Sequence, residues 1–364
     1  MTLQRRPRPR WVVAMLLALI IAGPGGLAGP VSSAAFNFSP WPWLELASNL
    51  IQPLAQTLHT VAPGQIDKGS DGRLTVLLVG SDWRPRLAGT GERTDAMMLV
   101  TIDDQKQISA VSLPRDVGNV PISPTETFAP KVNGLFKHFK EIYGTREAAL
   151  DHMRTSFEYT FGIQIDYVAY IRFTGVDRLV DEVGGVPVAV PYNIYDPKIV
   201  DERTNRQHGA EFDQSDSTLM LGSSAPVCYT VGDPINWAST PACRRALLYV
   251  RSRHGPGNND WRRERRQQGF LFAAIERVIS RGSAGNLDAL RTATLSNPDD
   301  FYTTLPTDSQ SVLALFDMLD GAQLVHQAVL MPSTYAFNVP GTSKQELHLD
   351  VVRSLMQEWF AAIP

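Results

Sequence analysis

"RLTVLLVG" (residues 73–80) is an unbroken apolar run of strand length, closed by a glycine. It lacks the in–out alternation of a sheet with one wet face, so it reads as a strand buried on both sides. Working outward, "AMMLVTID" (96–103), the turn "DDQKQ" (103–107) and "ISAVSLP" (108–114) read as two further strands. "REAALDHMRTSFEYTF" (146–161) changes to helical spacing, with Leu150, Met153, Phe157 and Phe161 on one face. Next come "IDYVAYIRF" (165–173) as strand, "TGVDRLVDEVGG" (174–185) as helix stopped by Gly184-Gly185, and "VPVAV" (186–190) as strand. Strand–helix–strand units combined with a hairpin predict an α/β three-layer sandwich, a central mixed β-sheet flanked by helices. Residues 191–243 read as a long irregular excursion, and residues 282–364 as two or three helices packed on the same core.

With 364 residues, 43% of them hydrophobic, the chain has ample material for a core. A net charge of −3 argues against a general nucleic-acid coat. The N-terminus is different. "MTLQRRPRPR" is basic and free of acids, "WVVAMLLALIIAG" is continuously apolar, and Ser32 and Ala34 fit the small-residue rule for signal cleavage. Residues 1–35 therefore read as a signal peptide or an uncleaved membrane anchor, and either places the remainder outside the cytoplasm. Residues 36–72, with Trp41 and Trp43, read as a juxtamembrane helix and linker; residues 73–364 form the folded domain. Cys228 and Cys243 suit an oxidising compartment, where a disulfide across so short a loop stabilises by roughly 3 kcal/mol.

Charge is concentrated in one place. "YVRSRHGPGNNDWRRERRQQ" (249–268) holds six arginines, Arg251, Arg253, Arg262, Arg263, Arg265 and Arg266, and only two acids. "GPGNND" is a turn cluster, and Asn259 or Asp260 is a suitable N-cap for a helix running on from it. Arginines in the first helical turns meet the positive end of the macrodipole, an unfavourable placement unless an anion joins them. Arg263, Arg266, Gln267 and Phe270 share one stripe, while Arg262 and Arg265 are left to face water. A multiply charged anion at this helix start is the reading those positions support.

Other charged residues fall mainly on loops at predicted strand ends, where α/β sheets gather ligand chemistry. These are Asp82 and Arg84 in "GSDWR", Arg93 and Asp95 in "RTD", Arg115 in "PRD" and Lys131 in "KVN". Two carboxylates on neighbouring strand ends, with substrate phosphates completing the shell, are a recognised arrangement for Mg²⁺. Guanidiniums facing a pyrophosphate neutralise charge on the leaving group. There is no G-x-S-x-G elbow and no H-E-x-x-H in the chain, and His138, His152 and His254 are scattered.

The ordered blocks "LLVGSDWR", "RTDAMMLV", "SLPRD", "KVN", "VDEVGGV", "LLYVRSR" and "DWRRERRQQ" resemble the LytR–CpsA–Psr family of cell-wall glycopolymer ligases over roughly residues 73–281. The resemblance implies an extracytoplasmic, usually membrane-anchored enzyme. Such enzymes take a glycopolymer from a polyprenyl-pyrophosphate carrier, transfer it as glycosyl phosphate to a peptidoglycan hydroxyl, and release polyprenyl phosphate. By position, Asp82 and Asp95 resemble the magnesium carboxylates, with Arg93 and Asp260 beside them in the catalytic set. Arg84, Arg115, Lys131, Arg251, Arg253, Arg263 and Gln267 resemble the pyrophosphate clamp. Asp260 is placed either to orient an arginine or to accept the acceptor's proton. The family also implies an apolar tunnel for the polyprenyl chain, with Phe157, Phe161, Val168, Tyr170 and Phe173 as candidate neighbours whose ordinary reading is plain core. Trp83 departs from the small or polar residue more common there, and a cysteine-closed insertion precedes "LLYVRSR", read as a strand. Two other activities suit the same residues: a polyprenyl-pyrophosphate pyrophosphatase, with water replacing the sugar hydroxyl, and a non-catalytic lipid-pyrophosphate-binding regulator. A nucleic-acid partner is not expected, because the arginines lack interleaved aromatic platforms.

Overall fold

The computed structural model describes residues 65–69, 71–83, 92–200, 207–214, 219–221, 229–230, 246–280, 297–306, 308–319 and 321–360. The leader, Trp41, Trp43, Arg84, Cys228 and Cys243 lie outside the described residues. Among those described, no helix is long and apolar enough to cross a membrane.

The run that opened the reading forms β1 (Leu74–Ser81), and the hairpin after it forms β2 (Thr94–Ile102) and β3 (Gln107–Ser112). With β4 (Tyr167–Arg172), β5 (Phe301–Thr303) and β6 (Gln323–Val329) they make a six-stranded sheet ordered β5-β4-β1-β2-β3-β6. β1 pairs antiparallel with β2 and parallel with β4, so the sheet is mixed.

Successive side chains on a strand point to opposite faces, and both faces here are dry. Leu74, Val76 and Leu78 enter one core, and Leu77 and Val79 the other. Against the second core lie α1 (Leu135–Tyr143), α2 (Arg146–Phe161) and α7 (Leu349–Phe360). Helix α2 is capped by Thr145, whose hydroxyl accepts from the Ala148 amide, and its Leu150, Met153, Phe157 and Phe161 are all buried. Against the first core lie α3 (Phe173–Glu182), α4 (Ala246–Arg251), α5 (Asp260–Ser280) and α6 (Ser309–Leu319). The architecture is the expected three-layer α/β sandwich.

Four expectations differ from what is observed, the first being that the stretch 191–243, read as irregular, contains the antiparallel hairpin Ile194–Val200 with Gln207–Phe212. "VPVAV" does form a strand, Val186–Val188, but it pairs with Leu219–Leu221 outside the central sheet. "LLYVRSR" is not a strand; it supplies α4 and the turn after it, and Ala246 to Val250 are all buried. An apolar run this short has no period that separates a buried strand from a buried helical turn. Residues beyond 282 hold two helices among those described, but also β5 and β6 and the hairpin Ala336–Asn338 with Gln345–Leu347. β6 runs along the edge of the sheet with mostly exposed or half-buried side chains, which hides it from a search for apolar runs.

Candidate functional site

Asp82 and Asp95 lie at the same end of the β1–β2 pair. Gly80 pairs with Ala96 and Ser81 with Thr94, so the ladder skips Asp95 in a bulge. Such a bulge re-aims one side chain out of the alternation. The crossing is tight: a Cβ at Gly80 would lie 3.0 Å from that of Ala96. Freed from the ladder, the Asp95 carboxylate takes Arg115 Nη1 at 2.8 Å on one oxygen and Asn133 Nδ2 at 3.2 Å on the other. Asp82 Oδ1 accepts from the Arg93 amide at 2.9 Å; the Arg93 residue itself is exposed.

The arginine segment closes on this strand end. Asn259 caps α5 by accepting from the Arg262 amide at 2.9 Å. Asp260, the first residue of α5, receives three guanidiniums: Arg115 at 3.5 Å, Arg253 at 3.4 Å and Arg263. A continuous chain of ion pairs thus links Asp95, Arg115, Asp260, Arg253 and Arg263. Burial works against the Arg115 charge, but Asp95, Asp260 and Asp116 outweigh it and raise the pKa above its ordinary value. With three cations around it, the Asp260 carboxylate holds the arginines in position.

The rest of the expected clamp is arranged less simply. Lys131 pairs with Asp116 at 2.7 Å. Arg251 lies over the Phe173 ring, 5.0 Å from its centroid. Gln267 donates to the Val250 carbonyl at 3.0 Å. Arg262 and Arg265 are exposed, as the stripe required. Arg266 is different from the stripe's other members. Fully buried, it donates to the carbonyls of Tyr249 and Ser252, to Asn258 Oδ1 and to the Tyr192 hydroxyl. Its guanidinium is taken up in closing the turn and is not presented to a ligand. The same turn is held from outside by Asp196, which accepts from the amides of Arg253 and His254 at 2.8 and 3.0 Å. Gly255, at φ +93°, passes so close to the Tyr195 carbonyl that a Cβ there would collide with it.

Sequence reasoning missed two groups. Glu92 is buried and receives Ser81 Oγ at 2.6 Å, Lys140 Nζ at 3.1 Å, Arg172 Nε at 3.2 Å and the Tyr170 hydroxyl. Burial would raise its pKa, but the hydrogen bonds from Ser81, Tyr170 and Arg172 and the Arg172 charge together lower it. Arg172 in turn stacks under Trp83 at 4.2 Å, so the bulky residue at that position braces the strand end next to Asp82. The second is Glu264, 3% exposed, on the inner side of α5 one residue beyond Arg263. A spacing of i, i+3, i+4 and i+7 with Gln267, Gln268 and Leu271 was the signal available for it.

Behind the cluster the first core is incomplete. An apolar cavity of about 150 Å³ lies between the sheet and α3 and α5, walled by Leu78, Ala169, Phe173, Val180, Val186 and Leu271, among others. Of the five candidate tunnel neighbours only Phe173 touches it. Phe157, Phe161, Val168 and Tyr170 belong to the second core, on the opposite face, because their strand and helix positions point away. Glu264 and Gln267 also line the cavity, so α5 joins it to the ion-pair chain.

The cluster is under-satisfied. Seven buried side-chain polar atoms among the described residues make no well-formed hydrogen bond, and four are here: Arg115 Nε and Asp260 Oδ1, which face each other at 3.5 Å in an ion pair, Arg263 Nε, and Glu264 Oε2. Native interiors rarely leave such groups without a partner, and orphaned guanidinium N–H groups point to an anionic one. Among the described residues no three His, Cys, Asp or Glu side chains are grouped to hold a metal. Asp82 and Asp95, at one end of the β1–β2 pair, are the two carboxylates that would take Mg²⁺ with phosphate oxygens completing the shell.

A model described as the LytR_cpsA_psr family matches residues 48–226. The cell wall biosynthesis protein LcpA of Corynebacterium glutamicum is 25% identical over 256 residues, 61% of this chain and 43% of LcpA. The polyisoprenyl-teichoic acid–peptidoglycan teichoic acid transferase TagV of Bacillus subtilis is 24% identical over 204 residues, 56% of this chain and 43% of TagV. The regulatory protein MsrR of Staphylococcus aureus is 28% identical over 128 residues, 34% of this chain and 33% of MsrR. The chain thus spans less than half the length of these relatives. The crystal structure of B. subtilis TagV superposes with a TM-score of 0.56 at 20% identity, covering 81% of this chain and 99% of that one. By sequence match, residues 48–226 of this chain belong to the LytR–CpsA–Psr family.

Proposed function

We propose that this chain is an extracytoplasmic transferase that moves a cell-wall glycopolymer from a polyprenyl-pyrophosphate carrier onto a peptidoglycan hydroxyl. The observation that carries the reading is the junction on α5, where a buried guanidinium cluster with incompletely satisfied N–H groups adjoins an apolar cavity. A lipid pyrophosphate has that division in one molecule: an apolar chain joined to a diphosphate. The names of LcpA and TagV favour the same class of work.

In this reading the acceptor oxygen attacks the glycan-proximal phosphorus. The bond from that phosphorus to the bridging oxygen breaks, polyprenyl phosphate leaves carrying the bridging oxygen and the bonding pair, and the acceptor hydroxyl's proton passes to that leaving phosphate or to solvent. Arg115, Arg253 and Arg263 give their remaining N–H groups to phosphate oxygens and neutralise the leaving charge, while their ion pairs to Asp260 keep them aligned. Asp82 and Asp95 would hold Mg²⁺, which when bound adds further neutralisation of the phosphates. Positioning supplies most of the rate, as in phosphoryl transfer generally.

The test is incubation with a synthetic lipid-pyrophosphate glycan and peptidoglycan oligomers, with and without Mg²⁺, and mass identification of products. Glycan phosphate on peptidoglycan is expected, and Asp82→Ala or Asp95→Ala should lower turnover by about a hundredfold or more, as loss of an electrostatic stabiliser does. Undiminished turnover in both variants removes the metal assignment. Release of free glycan phosphate alone identifies a pyrophosphatase. Binding with no product identifies a regulator, the work that the name of MsrR attaches to that protein.

A further inference from the structure

Along the inner side of α5 the side chains pass from charged to apolar. Asp260 and Arg263 sit in the ion-pair chain, Glu264 and Gln267 at the boundary, and Leu271 and Ala274 on the cavity wall. Glu264 is the unusual member. Its Oε1 lies 3.5 Å from Arg263 Nη2, a long contact, and its Oε2 is buried without a partner in the wall of the cavity. A carboxylate left so poorly solvated is costly, whereas a neutral carboxylic acid at the same place has one O–H to give.

Resting on the lipid-pyrophosphate reading, we infer that Glu264 acts as a neutral acid at the cavity mouth, donating through its orphaned oxygen to the phosphate oxygen nearest the lipid chain. The charges around it agree. Burial pushes its pKa up to about 7; Arg263 opposes that, Asp260 adds to it, Arg115 opposes and Asp116 adds. Arg263 and Asp260 reach it from its own helix, Arg115 and Asp116 from the loop after β3. Ionised, Glu264 would repel a phosphate and compete with it for Arg263. Protonated, it removes that competition and contributes a hydrogen bond. Glu264 is therefore a binding residue of the donor site, and its state couples donor affinity to proton uptake.

The test uses farnesyl-pyrophosphoryl-N-acetylglucosamine, a pyrophosphate diester of fixed charge near neutrality, titrated by calorimetry at about pH 6 and about pH 8. Wild-type affinity should fall about tenfold across that interval, the span available to one proton with a midpoint near 7. Glu264→Gln keeps a donor and cannot ionise, so it should bind equally at both pH values with the wild-type affinity of pH 6. Glu264→Leu, with no donor, should bind about tenfold more weakly than wild type at pH 6, the worth of one hydrogen bond to a charged group. The inference fails if wild type binds independently of pH, if Glu264→Gln keeps the wild-type pH dependence, or if Glu264→Leu matches wild type at pH 6. In those outcomes the lipid-pyrophosphate reading survives. Wild type failing to bind the probe at either pH overturns both.

Discussion

The two faces of the central sheet are packed in different ways. On one, Phe136, Phe157, Phe161 and Phe360 are all but inaccessible, and rings meet directly, Phe136 on Tyr170 and Phe157 on Phe161, each pair 5.6 Å apart. On the other, valines, leucines and alanines from β1, β4, α3 and α5 leave about 150 Å³ unfilled. The strands are shared, so the difference comes from the helices and the side chains they bring. Ring packs against ring across the closed layer, whereas the cavity in the other is walled mainly by aliphatic side chains, with Phe173 and Phe270 beside them. One face supports the fold, and the other has given up packing for room.

The sharpest way to break this comparison is to cut a ring from the closed face. Phe157→Ala should cost about 3–5 kcal/mol of unfolding free energy in urea, with lipid-pyrophosphate affinity unchanged in the folded fraction. A loss below about 1 kcal/mol would mean that this face is no better packed than the other.

The next effect belongs to the boundary of the open face and depends on pH. Glu264 has a folded-state pKa of about 7 against an ordinary 4.5, so between those values the native state holds a proton the unfolded chain has released. Stability from this group is present below about 4.5 and is lost as pH rises through 7, in total on the order of 3 kcal/mol. Glu264→Gln should remove that slope, so its stability relative to wild type rises between about pH 5 and pH 8. A constant difference over the range would return Glu264 to an ordinary carboxylate.

The smallest effect on stability sharpens the contrast from the opposite side. Ala274 lines the cavity, and Ala274→Phe should fill it while changing unfolding free energy by about 1 kcal/mol or less. Affinity for a prenyl pyrophosphate should nonetheless drop, while inorganic pyrophosphate binds as before. A destabilisation above about 3 kcal/mol would show that the space is not available to a side chain.

How much of this was readable from the chain follows from the kind of signal each part carries. β1 and β2 are buried on both faces and appear as apolar runs. α2 repeats every third or fourth residue, so its core face is visible. β6 carries half-exposed side chains at an edge and shows neither sign. In the site, Arg263 and Gln267 were identifiable from the stripe they share, and so was Arg266. Spacing places a guanidinium on a face but does not say which partner it meets there. Arg263 meets carboxylates, whereas Arg266 meets carbonyls supplied by residues 14 and 17 positions earlier. The bulge that turns Asp95 outward is a property of two paired strands, and neither strand shows it alone.

Asp196 lies in the hairpin Ile194–Val200 with Gln207–Phe212, part of the stretch read from sequence as an irregular excursion. Its buried carboxylate anchors the backbone of Arg253 and His254, and Gly255 fits only beneath the Tyr195 carbonyl. Hairpin and arginine turn therefore form a single cassette. Trimming the hairpin, or grafting one from a relative without its matching turn, would set loose the arginines that the rest of the fold delivers to the strand tips.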